Sequence, residues 1–300
     1  MWMRHAIAAV FAALIAATPA AAQEKLNVTA TFSILADLVK NVGGDRVEVS
    51  SLVGPNSDAH VYSPTPADAK KLAAAKVVIT NGLGFEGWMT RLIKASGFKG
   101  PVIVATKGVK PRKAADAHGH DHGHGGTDPH AWQSIANVKI YVANIRDALA
   151  AADPAGKATY EANSKAYLEK LDALEKEVVD AVARIPADRR RIITTHDAFG
   201  YFAAAYGIQF IAPQGVSTES QPSAKDVAKI ITQIKRQKIP AVFMENVSDP
   251  RLLKQIADET GAKIGGTLYS DALTDEKGPA PTYIDLMRHN LSSFSAALAS

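Results

Sequence analysis

Residues 156–186 read GKATYEANSKAYLEKLDALEKEVVDAVARIP, and this stretch decides the architecture that the sequence predicts. Its apolar side chains recur every three or four residues, which is the spacing of one face of an α-helix. They are Leu168, Leu171, Leu174, Val178, Val182 and Ile185. Pro186 ends the pattern, because proline lacks the backbone N–H that a helix interior needs. A helix over 156–184 would measure about 43 Å at a rise of about 1.5 Å per residue, long enough to run the full depth of two lobes.

On both sides of this helix, strand patterns alternate with helix patterns. Before it, we predict strands at 27–32, 47–53, 77–80 and 102–105, and helices at 34–42, 66–75, 86–96 and 134–152. After it, we predict strands at 191–195, 208–211, 241–244 and 263–268, and helices at 198–206, 223–238, 250–260 and 282–298. This alternation predicts an α/β fold with two parallel sheets joined by the long helix. Ligands of such sheets bind beyond the carboxyl ends of the strands, so we expect the site in the cleft between the lobes.

The N-terminus has the layout of a secretory signal peptide. Arg4 supplies a positive charge, residues 6–17 are an apolar run, and Ala20, Ala21 and Ala22 offer a small-residue cleavage site. The run is shorter than the roughly 20 apolar residues that span a bilayer, which favours cleavage over a retained N-terminal anchor. We expect removal of residues 1–22, and no lipid anchor, because no cysteine stands at the cleavage point.

The composition is ordinary for a globular protein and excludes thiol chemistry. Of 300 residues, 47% are hydrophobic and 21% are charged. The formal net charge of +4 falls to +3 without residues 1–22, which contain Arg4 and no acid. Basic residues are mixed with acidic ones, which predicts solvated helix faces and no nucleic-acid partner. With zero cysteines, the chain has neither disulfides nor thiolate ligands, so a transition-metal site must use nitrogen and oxygen.

The domain organisation follows from the long helix and the breaks around it. We assign 1–22 to the signal peptide, 23–153 to an N-terminal metal-binding lobe, 154–185 to the linking helix and 186–300 to a C-terminal metal-binding lobe. Within the first lobe, 113–127 is predicted to be a loop, since it has almost no apolar side chains to pack. This loop carries His118, His120, His122 and His124.

Four potential metal ligands stand at or near predicted junctions between strands and helices. His60 follows the second strand, His130 precedes a helix, His196 ends a strand and Asp271 follows the last strand. A single histidine at a strand end is more often a hydrogen-bonded structural residue, so the prediction rests on their joint placement. Two of the four fall in each half of the chain, where they can meet across one cleft.

The chemistry of these four groups suits Zn²⁺. Neutral imidazole nitrogen is a good zinc ligand, and a carboxylate oxygen completes a tetrahedron. Calcium and magnesium prefer oxygen ligands throughout, so this set disfavours both. Four protein ligands also fill the coordination sphere, whereas a catalytic zinc site keeps one position open. The pattern therefore favours binding over catalysis.

The sequence around these residues resembles that of a known family. The segments that carry the resemblance are HVYSPTP at 60–66, DPHAW at 128–132 and THDAFGYF at 195–202, followed by Asp271. In this order and spacing, the whole mature chain is similar to the zinc/manganese solute-binding proteins of ABC importers, the ZnuA/TroA-like family (cluster A-I). The resemblance implies two Rossmann-like lobes joined by a rigid helix. It also implies that the primary metal ligands are His60, His130, His196 and Asp271.

The resemblance further implies a role in transport and no enzymatic activity. Such a protein captures Zn²⁺ in the periplasm and delivers it to an ABC transporter permease with its ATPase; a periplasmic zinc chaperone is a further candidate partner. We expect a monomer. Mn²⁺ stays open as an alternative, because a manganese-preferring member that resembles this pattern has a glutamate where His196 stands, and some relatives with three histidines and an aspartate accept both ions.

The loop histidines have two interpretations. They can form a secondary, low-affinity metal site that raises the local zinc concentration, or they can belong to a flexible polar insert without a role in transport. The first is our prediction for His118, His120, His122 and His124.

Two other functions remain open on the sequence alone. A secreted zinc hydrolase would need a general base, for which Asp197, beside His196, is the obvious candidate. An adhesin or scavenger with the same fold would need no transporter. Near the predicted site, Asp128 has two candidate roles, a hydrogen bond to a ligand histidine or a helix cap, and Glu245 ends a strand close to the cleft.

Overall fold

The computed structural model describes residues 24–114 and 126–298. The predicted signal peptide at 1–22 lies outside the described residues, as do the four loop histidines, His118, His120, His122 and His124. Within the described ranges, no helix combines the length and the apolar character needed to cross a membrane.

The first half of the chain forms a parallel sheet covered by helices. Its strands are β1 (Leu26–Phe32), β2 (Val47–Val53), β3 (Val77–Thr80) and β4 (Val102–Val104), and its helices are α1 (Ser33–Gly43), α2 (Pro66–Ala74), α3 (Met89–Ser96) and α4 (Ile135–Ala152). The strand order is β2-β1-β3-β4, and Val28 of β1 lies opposite Val49 of β2. All of β3 and most of β1 are buried, as expected for inner strands of a parallel sheet with both faces covered.

The second half repeats this arrangement after the long helix α5 (Lys157–Ala183). Its strands are β5 (Arg191–Ile193), β6 (Gln209–Ile211), β7 (Ala241–Glu245) and β8 (Lys263–Leu268), and its helices are α6 (Gly200–Tyr206), α7 (Ala224–Gln237), α8 (Arg251–Thr260) and α9 (Tyr283–Leu298). The strands are again parallel, in the order β6-β5-β7-β8. The predicted α/β fold with two lobes is therefore confirmed.

Helix α5 connects the two halves by packing against both. It contacts α1 and α4 in the first half and α6 and α9 in the second. The apolar face predicted from the sequence is the buried face: Leu171, Leu174 and Val178 are fully buried. At 27 residues the helix is about 40 Å long, so one apolar core continues from the first lobe into the second.

Two helices begin two or more residues later than the sequence pattern indicates. We predicted a helix from residue 86, but α3 begins at Met89, because Glu86 closes the turn that follows β3. The Glu86 carboxylate accepts hydrogen bonds from the backbone N–H groups of Asn81 and Gly82, at 2.6 and 3.1 Å. Similarly, α6 begins at Gly200 and not at residue 198. Before α3, the Glu86 side chain thus holds the loop at the end of β3, whereas the residues just before α6, Ala198 and Phe199, are buried in the core.

Candidate metal centre

Four side chains converge between the lobes, and they are His60, His130, His196 and Asp271. One potential ligand atom from each lies within 4.8 Å of all the others. The Nε2 atoms of His60 and His130 are 3.2 Å apart, and Asp271 Oδ2 is 3.1 Å from His196 Nε2 and 3.3 Å from His60 Nε2. Atoms about 2.0–2.1 Å from a tetrahedral zinc are about 3.4 Å from one another, so these separations fit one shared ion.

The fold places these side chains at one edge of each sheet. His60 lies in the connection from β2 to α2, His196 follows β5, and Asp271 follows β8. His130 immediately precedes a short 3-10 helix, Ala131–Gln133, that leads into α4. His60 is 8% exposed and the other three are fully buried, so the site is shielded from bulk water.

The outer nitrogens of two histidines face carboxylates. His130 Nδ1 is 2.9 Å from Asp128 Oδ1, and His196 Nδ1 is 2.6 Å from Glu245 Oε2. Such contacts keep the proton on Nδ1 and leave Nε2 free to bind a metal. They also decide between the two roles considered for Asp128: it contacts a histidine, while Ser134 occupies the cap position of α4.

His60 is held differently, through its backbone. Its N–H donates to Asp58 Oδ1 at 2.9 Å, and the preceding carbonyl of Ala59 accepts a hydrogen bond from Trp88 Nε1 at 2.8 Å. The other oxygen of Asp58 accepts a hydrogen bond from Thr218 Oγ1, at 2.6 Å, which joins the first half of the chain to the second. Among the described residues, no carboxylate contacts the outer nitrogen of His60.

Burial and charge act in opposite directions on the ionisable groups of the site. Burial opposes a charge on Asp271, but the imidazoles of His196 and His130 outweigh it and hold the pKa of this carboxyl well below its usual range. Burial also opposes a charge on His196, yet Glu245 and Asp271 raise the pKa of its imidazole well above the usual value. For His60, burial prevails and lowers the pKa. The site therefore stabilises positive charge beside Asp271.

Neighbouring side chains hold the loop that carries Asp271 by hydrogen bonds, but they do not bond the Asp271 carboxylate. Trp132 Nε1 and Gln133 Nε2 both donate to the carbonyl of Ser270, each at 2.8 Å. Both Asp271 oxygens are buried, and in the described part of the chain only the three imidazoles approach them. A buried carboxylate without other donors is costly unless a cation neutralises it, so the residues present fit a metal ion.

Comparison with known proteins identifies the family. A family model described as the periplasmic component A of the zinc-uptake complex, ZnuA, matches residues 28–297. The chain belongs to this ZnuA family. Among curated relatives, the iron-binding protein YfeA of Yersinia pestis is 36% identical over 284 residues, which cover 95% of this chain and 90% of YfeA. The manganese-binding lipoprotein MntA of Halalkalibacterium halodurans is 34% identical over 277 residues, covering 92% of this chain and 89% of MntA.

Solved structures of ZnuA-family relatives have the same fold. The periplasmic zinc-binding protein TroA of Treponema pallidum superposes with a TM-score of 0.84 at 30% identity, covering 92% of this chain and all of TroA. The Mn-bound periplasmic metal-binding protein of Candidatus Liberibacter asiaticus gives a TM-score of 0.81 at 32% identity, covering 91% of this chain and all of that one.

Family membership confirms part of the functional prediction. The ZnuA-family chain is an extracytoplasmic substrate-binding protein of a metal ABC transporter, so its partners are a permease and an ATPase. The prediction of a binding protein, as opposed to an enzyme, is confirmed by these relatives. Their names include manganese and iron, so the family shows a divalent metal and leaves zinc a prediction. MntA is named a lipoprotein, which conflicts with the prediction that this protein has no lipid anchor.

One residue beside the four predicted ligands contributes more to the site than its place in the sequence indicates. Glu245, considered only for its place at a strand end, uses both carboxylate oxygens in the site: besides its contact with His196 Nδ1, it accepts the backbone N–H groups of Thr195 and His196 at 2.7 and 3.0 Å. The feature of the sequence that indicates such a role is an acidic residue at the end of a central strand, beside the expected cleft. Asp197, the candidate base of a hydrolase, instead lies near Asp128, and burial, together with that carboxylate, raises its pKa.

Proposed function

We propose that this protein captures Zn²⁺ between its lobes and delivers it to an ABC importer. The primary ligands in this proposal are His60, His130, His196 and Asp271. The observation that carries it is the convergence of three imidazole nitrogens and one carboxylate within 4.8 Å. This donor set suits a borderline ion such as zinc, whereas a site richer in oxygen would favour manganese.

The contacts behind the imidazoles support zinc further. Asp128 and Glu245 each face the Nδ1 atom of a ligand histidine, which raises the basicity of the imidazole and fixes its orientation. TroA, which shares the fold, is named as a zinc-binding protein. Mn²⁺ is the second candidate, since MntA is named for manganese and the Liberibacter protein was solved with Mn bound.

The proposed setting is the periplasm, with the protein acting as a monomer. Residues 1–22 would direct export and be removed. The permease with its ATPase receives the ion, and a periplasmic zinc chaperone is a further proposed partner. We propose that the loop histidines, His118, His120, His122 and His124, bind additional zinc with low affinity.

The experiment is a metal-binding titration of the chain from residue 23 onward, with zinc and manganese in competition. We expect one tight zinc site, and we expect His196→Ala to weaken it by about 3 kcal/mol, roughly 100-fold, as the loss of one of four ligands should. His289→Ala is the matched control, because His289 lies on α9 with its Nε2 3.0 Å from the Thr267 carbonyl. Unchanged affinity in His196→Ala would remove this residue from the ligand set.

Deleting 115–125 tests the two sites separately. We expect the tight site to survive the deletion and the additional weak binding to disappear. If the tight site is lost instead, the primary ligands are assigned incorrectly. Preferential binding of manganese in the competition would select the second candidate.

A further inference from the structure

We propose that Arg112 keeps the metal centre labile: its positive charge, placed behind Asp128 and His130, weakens metal binding and speeds release. Arg112 does not reach the proposed ligand atoms and acts on them through Asp128 and His130. The inference rests on the proposed function, because it concerns the affinity of the same site.

The backbone brings Arg112 beside Asp128. The Asp128 N–H donates to the Arg112 carbonyl at 3.0 Å, and the next pair, Lys113 and Thr127, forms an antiparallel bridge. Arg112 Nε lies 3.9 Å from Asp128 Oδ2, while Asp128 Oδ1 contacts His130 Nδ1 at 2.9 Å. One carboxylate therefore separates the guanidinium from a metal-binding imidazole.

The second lobe packs against this pair from one side. The Arg112 guanidinium lies over the ring of Tyr201 at 5.6 Å, and the Tyr201 hydroxyl accepts the Arg112 backbone N–H at 3.0 Å. Gly200 packs so closely that an added Cβ would be 2.6 Å from Asp128 Oδ2. The Arg112 side chain is 40% exposed and that of Asp128 only 3%, so solvent screens the guanidinium in part while the carboxylate that it faces is buried.

The contact between Arg112 and Asp128 is one of charge and not of hydrogen bonding. Arg112 Nε is buried and has no hydrogen-bond partner among the described residues, and 3.9 Å exceeds hydrogen-bond range. A directed hydrogen bond would help to aim the carboxylate at His130. Without one, the guanidinium acts on the site mainly through its charge.

Two consequences of that charge have the same sign. The guanidinium repels a divalent ion bound at His130 Nε2. It also offsets the negative charge of Asp128, so that the imidazole of His130 becomes a less basic, weaker ligand for the metal. Both effects lower the affinity for the metal. A purely structural Arg112 predicts the opposite, because its loss would loosen Asp128 and weaken binding. The sign of the effect therefore separates the two roles.

A site that releases its metal readily suits a transport protein, which must pass the ion on. Affinity differences between related binding sites arise mostly from the dissociation rate. Removing the charge should therefore slow release more than it changes capture.

The test compares Arg112→Gln, Arg112→Lys and Arg91→Gln in the chain from residue 23 onward. Arg91, an exposed residue on α3, serves as the matched control for loss of one arginine charge. Zinc affinity is measured by competition with a chelator, and release by stopped-flow mixing with excess chelator. We expect Arg112→Gln to bind zinc about 3–10-fold more tightly and to release it more slowly by a similar factor. Arg112→Lys should stay close to the native protein because it keeps the cation.

Each other outcome overturns the inference. Unchanged or weaker binding in Arg112→Gln would contradict the charge effect, and so would tighter binding in Arg112→Lys of the same size as in Arg112→Gln. A thermal melt of the metal-free variants shows whether weaker binding reflects a damaged fold, in which case Arg112 is structural and the proposal fails. If the native chain itself binds no zinc while it binds another metal, the proposed function fails and the same comparison is made with that metal.

Discussion

Glu245 lies behind His196, on the side away from the candidate metal centre. Its carboxylate accepts two backbone N–H groups with one oxygen and meets His196 Nδ1 with the other. Because a carboxylate only accepts, an acceptor this close favours the proton of the neutral imidazole on Nδ1 and leaves Nε2 free to bind. Asp128 does the same for His130.

Replacing Glu245 by glutamine should therefore weaken zinc binding strongly. The amide can keep accepting the two backbone N–H groups, but its NH₂ would then face His196 Nδ1 and favour the tautomer that carries the proton on Nε2. We expect a loss of about 10–100-fold in zinc affinity, measured by chelator competition. Glu169→Gln, at an exposed position on α5, should bind like the native protein. Equal affinities for the two variants would show that Glu245 does not orient His196.

At the scale of elements, a buried carboxyl joins α1 to α9. Asp37 of α1 accepts the backbone N–H of Tyr283, the first residue of α9, at 2.9 Å, and the amide of Asn41 at 3.1 Å. Burial raises the pKa of Asp37 to about 6, although the Tyr283 N–H and Lys40 oppose the shift. Burial of Asp37 between the helices therefore favours the protonated acid, against the hydrogen bond from Tyr283.

This shift predicts a pH dependence of stability. The folded pKa of Asp37, about 6, lies above the ordinary value of 3.8. The contribution of protonated Asp37 to the free energy of unfolding is therefore complete below about pH 4 and is lost as the pH rises through 6. In the metal-free protein, the free energy of unfolding of Asp37→Asn should fall less between pH 4 and pH 7 than that of the native protein, by up to about 3 kcal/mol. We therefore expect Asp37→Asn to be more stable than the native protein at pH 7.

Urea unfolding at several pH values from 4 to 7 measures the effect. Asp45→Asn, at an exposed position in the same lobe, is the control and should follow the native profile. If the native protein and Asp37→Asn lose stability in parallel across this range, Asp37 is not the group responsible.

At the scale of the whole molecule, the site depends on two lobes that share a core and touch again across the cleft. One such contact, two residues before His60, is the hydrogen bond from Thr218 Oγ1 to Asp58 Oδ2, at 2.6 Å. A cavity of about 520 Å³ opens beside it, lined also by Thr195, the residue before His196. This bond ties the loop that carries His60 to the second half of the chain.

Removing that bond should speed the release of the metal. Thr218→Val keeps the side-chain shape but leaves Asp58 without its partner from the other lobe, and we expect release to become about 5–10-fold faster, the effect of one hydrogen bond. Stopped-flow mixing with excess chelator gives the rate. Thr232→Val is a matched control, since Thr232 bonds only within its own helix, to the Ala228 carbonyl. A release rate equal to that of the control would mean that the lobes separate without breaking this contact.

Much of the fold could be predicted from the sequence because it depends on local periodicity. The apolar spacing in 156–185 predicts a helix with one buried face, and Leu171 and Leu174 are on that face. The alternation of strand and helix patterns predicts two parallel sheets, because parallel strands need a connection that crosses over the sheet. The candidate ligands follow from the same logic, since parallel strands bring their carboxyl ends to one edge and His60, His196 and Asp271 all follow strands.

The tertiary structure decided which groups stand behind those ligands. Glu245 meets His196 across 49 residues of sequence, Trp132 fastens the Asp271 loop across 138, and Arg112 rests on Tyr201 across 89. No periodicity links residues so far apart, because their contacts follow from how helices and loops of different lobes pack. The sequence by itself thus determined the two lobes and the residues offered to a metal. Only the folded chain determined how the side chains of those residues are oriented and which charged groups lie beside them.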